Sequence, residues 1–398
     1  MKNIKLDFPI FSKKPELVYL DSAATTQKPS CVIESLREFY ETSCSNINRG
    51  SYSLSFEATK KWDEARNSIK KFLGVAQDGD LIFTKNATES LNLVAYGLSS
   101  SLTPGDLVAI SILEHHSNFV PWQQLSQRFG FKLEIIPADL EGNIDESFFI
   151  KILERGPKVV ALTHCSHVLG TILPIERLGR LARDAGAKVV IDGTQMVPHS
   201  LVNLSELPVD FYAFSGHKLF GPNGIGCLYG KLTELESLPP FIFGGDMIFD
   251  VTEAYTIFSK PPRKFEAGTQ SIGDAIGLAA ATDYLANIGM ENIRKYKSDL
   301  TNYLIDSLKE IPNLKIYGPK NQRAGLVSFS IDEIHSHDVS QILSSRGVCV
   351  RSGQHCAQPL MRRMGIDSLT RVSVHIYNTK SDIDALCSGL RDVIRIFS

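Results

Sequence analysis

The chain has 398 residues and carries 42 Lys and Arg against 44 Asp and Glu, a net charge of −2, with 43% hydrophobic and 22% charged residues. That is the balance of an ordinary globular protein with room for a large and a smaller domain. It offers no electrostatic ground for binding nucleic acid or a membrane surface.

No run approaches the ~20 apolar residues of a membrane-spanning helix. The opening stretch MKNIKLDFPIFSKKPELVYL has neither the apolar run nor the small-residue cleavage site of a secretory signal. The seven cysteines are scattered without a CxxC pair, so the expectation is reduced thiols in the cytoplasm. Cys227 and Cys349 read as small core residues.

Residues 1–20 read as an arm ending in a short strand, LVYLD. Segments 30–42 and 56–73 repeat apolar residues three and four apart, a helical spacing. Between them lies a polar loop, INRGSYSLS, with Asn48 and Arg49. Strands and helices then alternate. DLIFT (80–84) is a strand, and KNATESLNLVAYGL is a helix opening near Thr88, with Asn86 and Thr88 as candidate caps. DLVAISILEHHSN runs a strand into His115, VPWQQLSQRFG is a helix and FKLEIIPA a strand. KVVALTHCSHVLG is a strand feeding a turn that holds His167. ERLGRLARDAG is a helix ending at Gly186, AKVVIDGTQ a strand ending at Asp192, DFYAFSGHK a strand ending at Lys218, and GIGCLYG another. This order predicts an α/β fold with a mainly parallel sheet covered by helices on both faces. Ligands on such sheets bind at the carboxyl ends of the strands, and His115, His167, Asp192 and Lys218 all fall just past strand ends.

Residues 239–275 read as a long irregular region, and IGLAAATDYLANIG as an interdomain helix. Beyond Gly289 an amphipathic helix, short strands and a last helix predict a small α+β domain. The expected organisation is an arm (1–20), a large domain (21–288) and a small C-terminal domain (289–398).

Lys218 ends a buried strand in FSGHKLFGPNGIG. A lysine there is costly unless paired or chemically used. Pyridoxal phosphate needs an imine-forming lysine, a carboxylate for its ring nitrogen, phosphate ligands and a flat group over the ring. Lys218 and Asp192, on neighbouring strand ends, supply the first two. Thr88, Ser215 and His217 can hold phosphate, His115 can stack, and Gln195 can reach the ring oxygen. Cys356 lies in a polar loop, RSGQHCAQP, rather than an apolar run, which favours a reactive thiol with Arg351 and His355 as neighbours that promote the thiolate.

With these residues in view, the chain resembles the cysteine desulfurases of the class V aminotransferase group, fold type I, and in particular the SufS-like branch. The resemblance is carried by YLDSAATTQKP, NRGSYSLS, EHHSNFVPWQ, VLGTILP, VVIDGTQ, FSGHKLFGPNGIG, FEAGTQ, RSGQHCAQPLM and RVSVHIYNT, in that order from about residue 19 to the C-terminus. It implies that Lys218 carries the cofactor, Asp192 pairs with the pyridine nitrogen and His115 stacks. Thr88, Ser215 and His217 would bind the phosphate, with Thr269 of a neighbouring subunit, which implies an obligate homodimer. Arg371 would grip the substrate carboxylate, Cys356 would be the nucleophile, and Arg351, His167, Asn48 and Arg49 would lie at the substrate. The implied reaction turns L-cysteine into L-alanine, with a persulfide on Cys356 passed to an acceptor in iron–sulfur cluster assembly or a related sulfur pathway.

The sequence departs from that pattern at three pocket positions. His167 stands where the family usually has Asn, Asn48 where it has His, and Gln354 where it has the first of two histidines. A C–S lyase or selenocysteine lyase of a dedicated pathway, and a non-catalytic cofactor-binding partner, are the competing readings. Finally, EIHSHD places His335 and His337 just before a helix starting near Asp338. The resemblance implies a zinc-containing sulfur carrier whose metal His337 can ligate, with no metal of the chain's own.

Overall fold

A computed structural model describes residues 4–320 and 322–397; residues 1–3, 321 and 398, which fall within the predicted arm and small domain, lie outside them. A short β1 (Val18–Tyr19) follows a 3₁₀ turn over Ile4–Asp7 and a short helix, Pro9–Lys13. The central sheet is built from β2 (Gly79–Thr84), β3 (Leu107–Ser111), β4 (Lys132–Ile136), β5 (Val159–Thr163), β6 (Lys188–Asp192), β7 (Phe211–Ser215) and β8 (Gly226–Lys231). Their order is β2-β8-β7-β6-β5-β3-β4, and β8 runs antiparallel to both its neighbours while the others are parallel.

Every residue of β3, β5 and β7 is buried. A strand covered on both faces has no solvent side to call for polar residues, which is why these segments read as unbroken apolar runs. Alternate side chains serve opposite faces. Tyr212 and Phe214 enter one core with Ile191, while Phe211 and Ala213 enter the other with Val190. Where β8 begins, Gly226 lies against Asn86, and a Cβ there would stand 2.5 Å from the Asn86 Cα. This close approach sets the start of the helix Ala87–Ser99 beside the end of β7.

After β9 (Ile248–Val251) and β10 (Thr256–Phe258), the second sheet comprises β11 (Leu314–Tyr317), β12 (Leu326–Ile331), β14 (Arg351–Gly353) and β15 (Leu369–Ser373), all antiparallel in the order β11-β12-β15-β14. Between β12 and β14 falls β13 (Val348–Cys349), which pairs in parallel with β1, Val18 opposite Val348 and Tyr19 opposite Cys349. Leu20, fully buried, joins the core under this second sheet with Val327, Phe329 and Val372.

Three readings change. The segment 239–275 contains a hairpin, β9–β10. Its apolar residues Phe249, Val251 and Ile257 are exposed, so no core contact marked them as strand. The helix Ile272–Ile288, expected between domains, packs mainly on the helices Ser30–Glu38 and Ser53–Phe72. Gly277 permits the approach to Ser30–Glu38, since a Cβ there would stand 3.3 Å from Leu36. Cys349 is half-buried rather than a core residue, whereas Cys227 is fully buried. No described helix is long and apolar enough to cross a membrane.

Candidate active site

A cavity of about 510 Å³ opens at the carboxyl ends of β5, β6 and β7, and β14 and β15 close its far wall. Lys218 enters it from the 3₁₀ turn Gly216–Lys218 directly after β7. Burial, and secondarily the Arg371 cation, bring its amine down to about 8, with Asp192 opposing. Asp192 ends β6, and its Oδ1 accepts the Thr194 N–H at 3.0 Å. Burial raises its pKa, partly countered by Thr194 and Lys218.

Asn86 caps the helix Ala87–Ser99, its Oδ1 accepting the Glu89 N–H at 3.0 Å. Thr88, the other candidate cap, instead places its hydroxyl 2.7 Å from Ser117 Oγ and lines the cavity. The Ala87 N–H donates to Ser215 Oγ at 2.9 Å, which leaves that hydroxyl's own proton free for another partner. His217 lines the same end, and burial, with Lys218 and Lys28 nearby, lowers it to about 4.

His115 caps the helix His116–Phe129 by accepting the Ser117 N–H on Nδ1 at 3.1 Å. Its ring is thereby fixed, and in the neutral form it keeps its proton on Nε2. It meets His167 edge to face, with centroids 4.9 Å apart. Burial, followed by the Lys218, His116 and Arg371 charges, depresses His115 to about 3. The Gln195 amide Nε2 donates to Ala23 O at 2.8 Å from the cavity wall.

Arg371, on β15, is 3% exposed. It donates from Nη1 to His167 O at 2.8 Å, and its Nη2 lies 3.5 Å from Asp21 Oδ1. Its Nε is buried with no partner among the described residues. Arg351, directly opposite in the β14–β15 register, binds Asp21 by Nε at 3.0 Å and Nη2 at 2.7 Å.

Cys356 is exposed, and both it and His355 adopt left-handed backbone, with φ of 56° and 51°. Such angles cost non-glycine residues about 1–2 kcal/mol each and persist only where the surroundings impose them. Here Cys356 O accepts the His116 N–H at 3.0 Å, and His355 O accepts the His167 Nε2–H at 2.8 Å. His355 departs from its expected part. It is buried, donates Nε2–H to Leu369 O at 3.1 Å, and is lowered to about 3, so it is a neutral prop rather than a cation.

The single chain does not bring Asn48, Arg49 or Thr269 to this cavity. Asn48 Nδ2 donates to Asp246 at 3.0 Å, Arg49 pairs with the same carboxylate at 3.2 Å, and Thr269 lies exposed. Gln354 accepts from the Gln358 amide at 2.7 Å. Sequence reasoning gave no role to Asp21 or to Ser117, and no local signal marks either.

These residues fit pyridoxal phosphate. A buried carboxylate suits a protonated ring nitrogen, a helix start with an available hydroxyl suits a phosphate, and a lysine of lowered pKa lines the same cavity. Residues 18–386 match the family Aminotransferase class-V. The chain belongs to that family, whose members of this shape are fold type I enzymes. It is 43% identical over 399 residues to a probable cysteine desulfurase of Halalkalibacterium halodurans, covering 99% of this chain and 98% of the relative. A cysteine desulfurase of Haloferax volcanii is 39% identical, covering 99% and 97%. Among solved structures, the apo cysteine desulfurase of Thermococcus onnurineus superposes with a TM-score of 0.95 at 39% identity, covering 99% of this chain and 98% of that one. The Escherichia coli cysteine desulfurase CsdA superposes at 0.91 and 34%, covering 98% of each. Within the family the chain therefore stands among the cysteine desulfurases.

Proposed function

We propose that this cavity takes L-cysteine, releases L-alanine and leaves the sulfur as a persulfide on Cys356. The chain is a pyridoxal-phosphate-dependent cysteine desulfurase. One observation carries the assignment of residues: Lys218, Asp192, Arg371 and the Cys356 thiol all line a single cavity. When bound, the cofactor supplies an electron sink for the substrate α-carbon.

In this reading Asp192 holds the ring nitrogen, while Thr88, Ser215 and His217 hold the phosphate and His115 covers the ring. Gln195, on the cavity wall, would bond the ring oxygen. Arg371 grips the substrate carboxylate with its unpartnered Nε–H and a second N–H, and His167 and Arg351 border the same space. Lys218 Nζ carries the α-proton, a task suited to an amine near 8. The Cys356 sulfur attacks the substrate sulfur, an S–S bond forms and the C–S bond breaks. L-cysteine and an enzyme thiol thus become L-alanine and an enzyme persulfide, with no other reactant. The test is Cys356→Ser in the holoenzyme. Cofactor absorbance is retained and persulfide and alanine are lost; undiminished alanine and sulfide production would instead indicate a direct lyase.

Two finer readings accompany this one. A homodimer is supported by the exposed apolar side chains Tyr52, Phe56, Phe249 and Val251, and by the position of Asn48, Arg49 and Thr269 outside their own chain's cavity. A second copy would bring Thr269 to the phosphate. A zinc-containing sulfur carrier is supported by His337, which is exposed at the start of the helix Ser336–Ser345. Its Nε2 lies 3.8 Å from where a Cβ on Gly353 would stand, three positions before Cys356. In the same reading, residues 289–398 form the small domain that presents this loop, residues 21–288 the large cofactor-binding domain and residues 1–20 a separate arm.

A further inference from the structure

We propose that His167 is a positioning residue which clamps the Cys356 loop and couples it to the occupancy of Arg371. The inference rests on Cys356 as the sulfur acceptor, but its test does not require turnover.

His167 has two handles. Its side chain donates Nε2–H to the carbonyl of His355, the residue before the nucleophile. Its own carbonyl accepts Nη1–H from Arg371. The turn that carries His167 is pinned on both sides. Ser166 Oγ accepts the Leu169 N–H at 3.1 Å, Ser328 Oγ donates to Val168 O at 2.6 Å, and Gly170 takes a φ of 75°. The imidazole is 4% exposed and braced edge to face by His115. The loop it holds is strained at two successive residues, and no other described contact engages the His355 carbonyl. Two left-handed residues relax as their restraints go, and this N–H is one of three, beside the His116 N–H on Cys356 O and the His355 Nε2–H on Leu369 O. Conversely, a carboxylate on the Arg371 Nε fixes the guanidinium that holds the His167 carbonyl. Substrate binding and loop order are then linked through one residue.

The ring's chemistry supports this use. Burial first, then the His115 and Arg371 charges, hold His167 well below its ordinary pKa, so it is neutral, and with Nε2–H committed to His355 its Nδ1 is bare. A phenyl ring of similar size keeps the packing and loses the donor. A glutamine amide keeps a donor at comparable reach.

The experiment compares holoenzyme wild type, His167→Phe and His167→Gln by hydrogen exchange of the peptide over residues 354–360. There the Ala357 N–H bonds Gln354 O at 3.0 Å and the Gln358 N–H bonds His116 Nε2 at 3.3 Å. The expected result is exchange about tenfold faster in His167→Phe, the scale of one lost hydrogen bond, with strand β7 unchanged and His167→Gln closer to wild type. L-alanine slows exchange of this peptide in wild type and not in His167→Phe. For L-cysteine turnover, kcat falls about tenfold while KM moves less than about twofold. Wild-type exchange in His167→Phe, an equal rise in β7, or an undiminished response to L-alanine would each overturn the proposal. Loss of activity in Cys356→Ser tests the nucleophile separately.

Discussion

Arg351 and Arg371 stand directly opposite each other on adjacent antiparallel strands, and the carboxylate of Asp21 reaches both. Like charges in that register repel, so the pair is tenable because Asp21 lies between them. The contact is unequal, bidentate to Arg351 and 3.5 Å to Arg371. Arg371 is thus oriented without being saturated. Asp21→Asn keeps the shape and removes the charge. KM for L-cysteine rises by about tenfold, the scale of a lost charge-assisted contact, with a smaller fall in kcat. Steady-state kinetics decide it, and an unchanged KM would deny Asp21 this part.

Lys218 governs a pH dependence. Its amine titrates near 8, lowered by burial first and by Arg371 second. Only the neutral amine is a nucleophile, so reactivity grows as pH rises through 8 and then levels. Uptake of pyridoxal phosphate by cofactor-free protein is about tenfold faster at pH 9 than at pH 7 and flat beyond. In Arg371→Gln the midpoint moves upward. A rate still climbing steeply above pH 9 in wild type would mean an ordinary lysine.

Acid sensitivity has a location. Lys297, His199 and His375 meet in the interior, Lys297 Nζ contacting His199 Nδ1 while His375 Nε2–H donates to Pro198 O at 3.0 Å. All three lie well below their ordinary pKa values because of burial. The folded chain therefore binds fewer protons here than the unfolded chain, and stability rises with pH. For the histidines, that stability is complete above about 6.5 and is lost as pH falls below it, at about 1.4 kcal/mol per unit for each group. Lys297→Gln removes one of these bases and keeps a donor. Its thermal midpoint at pH 5.5 exceeds that of wild type, and a lower midpoint there would refute the argument.

The acceptor is tested at His337. His337→Ala keeps basal alanine production and loses most of its stimulation by a zinc-containing carrier. Equal stimulation of both proteins would remove His337 from the transfer step.

The large sheet was legible because strands buried on both faces leave continuous apolar runs, and Lys218 and Asp192 were legible because a charge closing such a run is costly. Asp21 was not. It acts on Arg351, 330 positions away, and no local pattern reports such a contact. The helix Ile272–Ile288 was misplaced because its small residues pack on several sides and leave no single apolar stripe to assign. His355 was misread because proximity in sequence to Cys356 does not reveal which backbone carbonyl its ring will meet.

The pairing of β1 with β13 bears on how the polypeptide reaches this shape. The strands of the large sheet come from one continuous stretch, residues 79–231, and can assemble as soon as that stretch leaves the ribosome. The other sheet is built from residues 314–373, and its core includes Leu20. Val18 and Tyr19 thus wait for Val348 and Cys349, which are made after every strand of the large sheet. The arginine pair and the thiol loop, which depend on that late docking, are completed after the lysine's own pocket wall is in place. A nascent chain halted near residue 300 would hold the lysine and its carboxylate but have nowhere to put the sulfur.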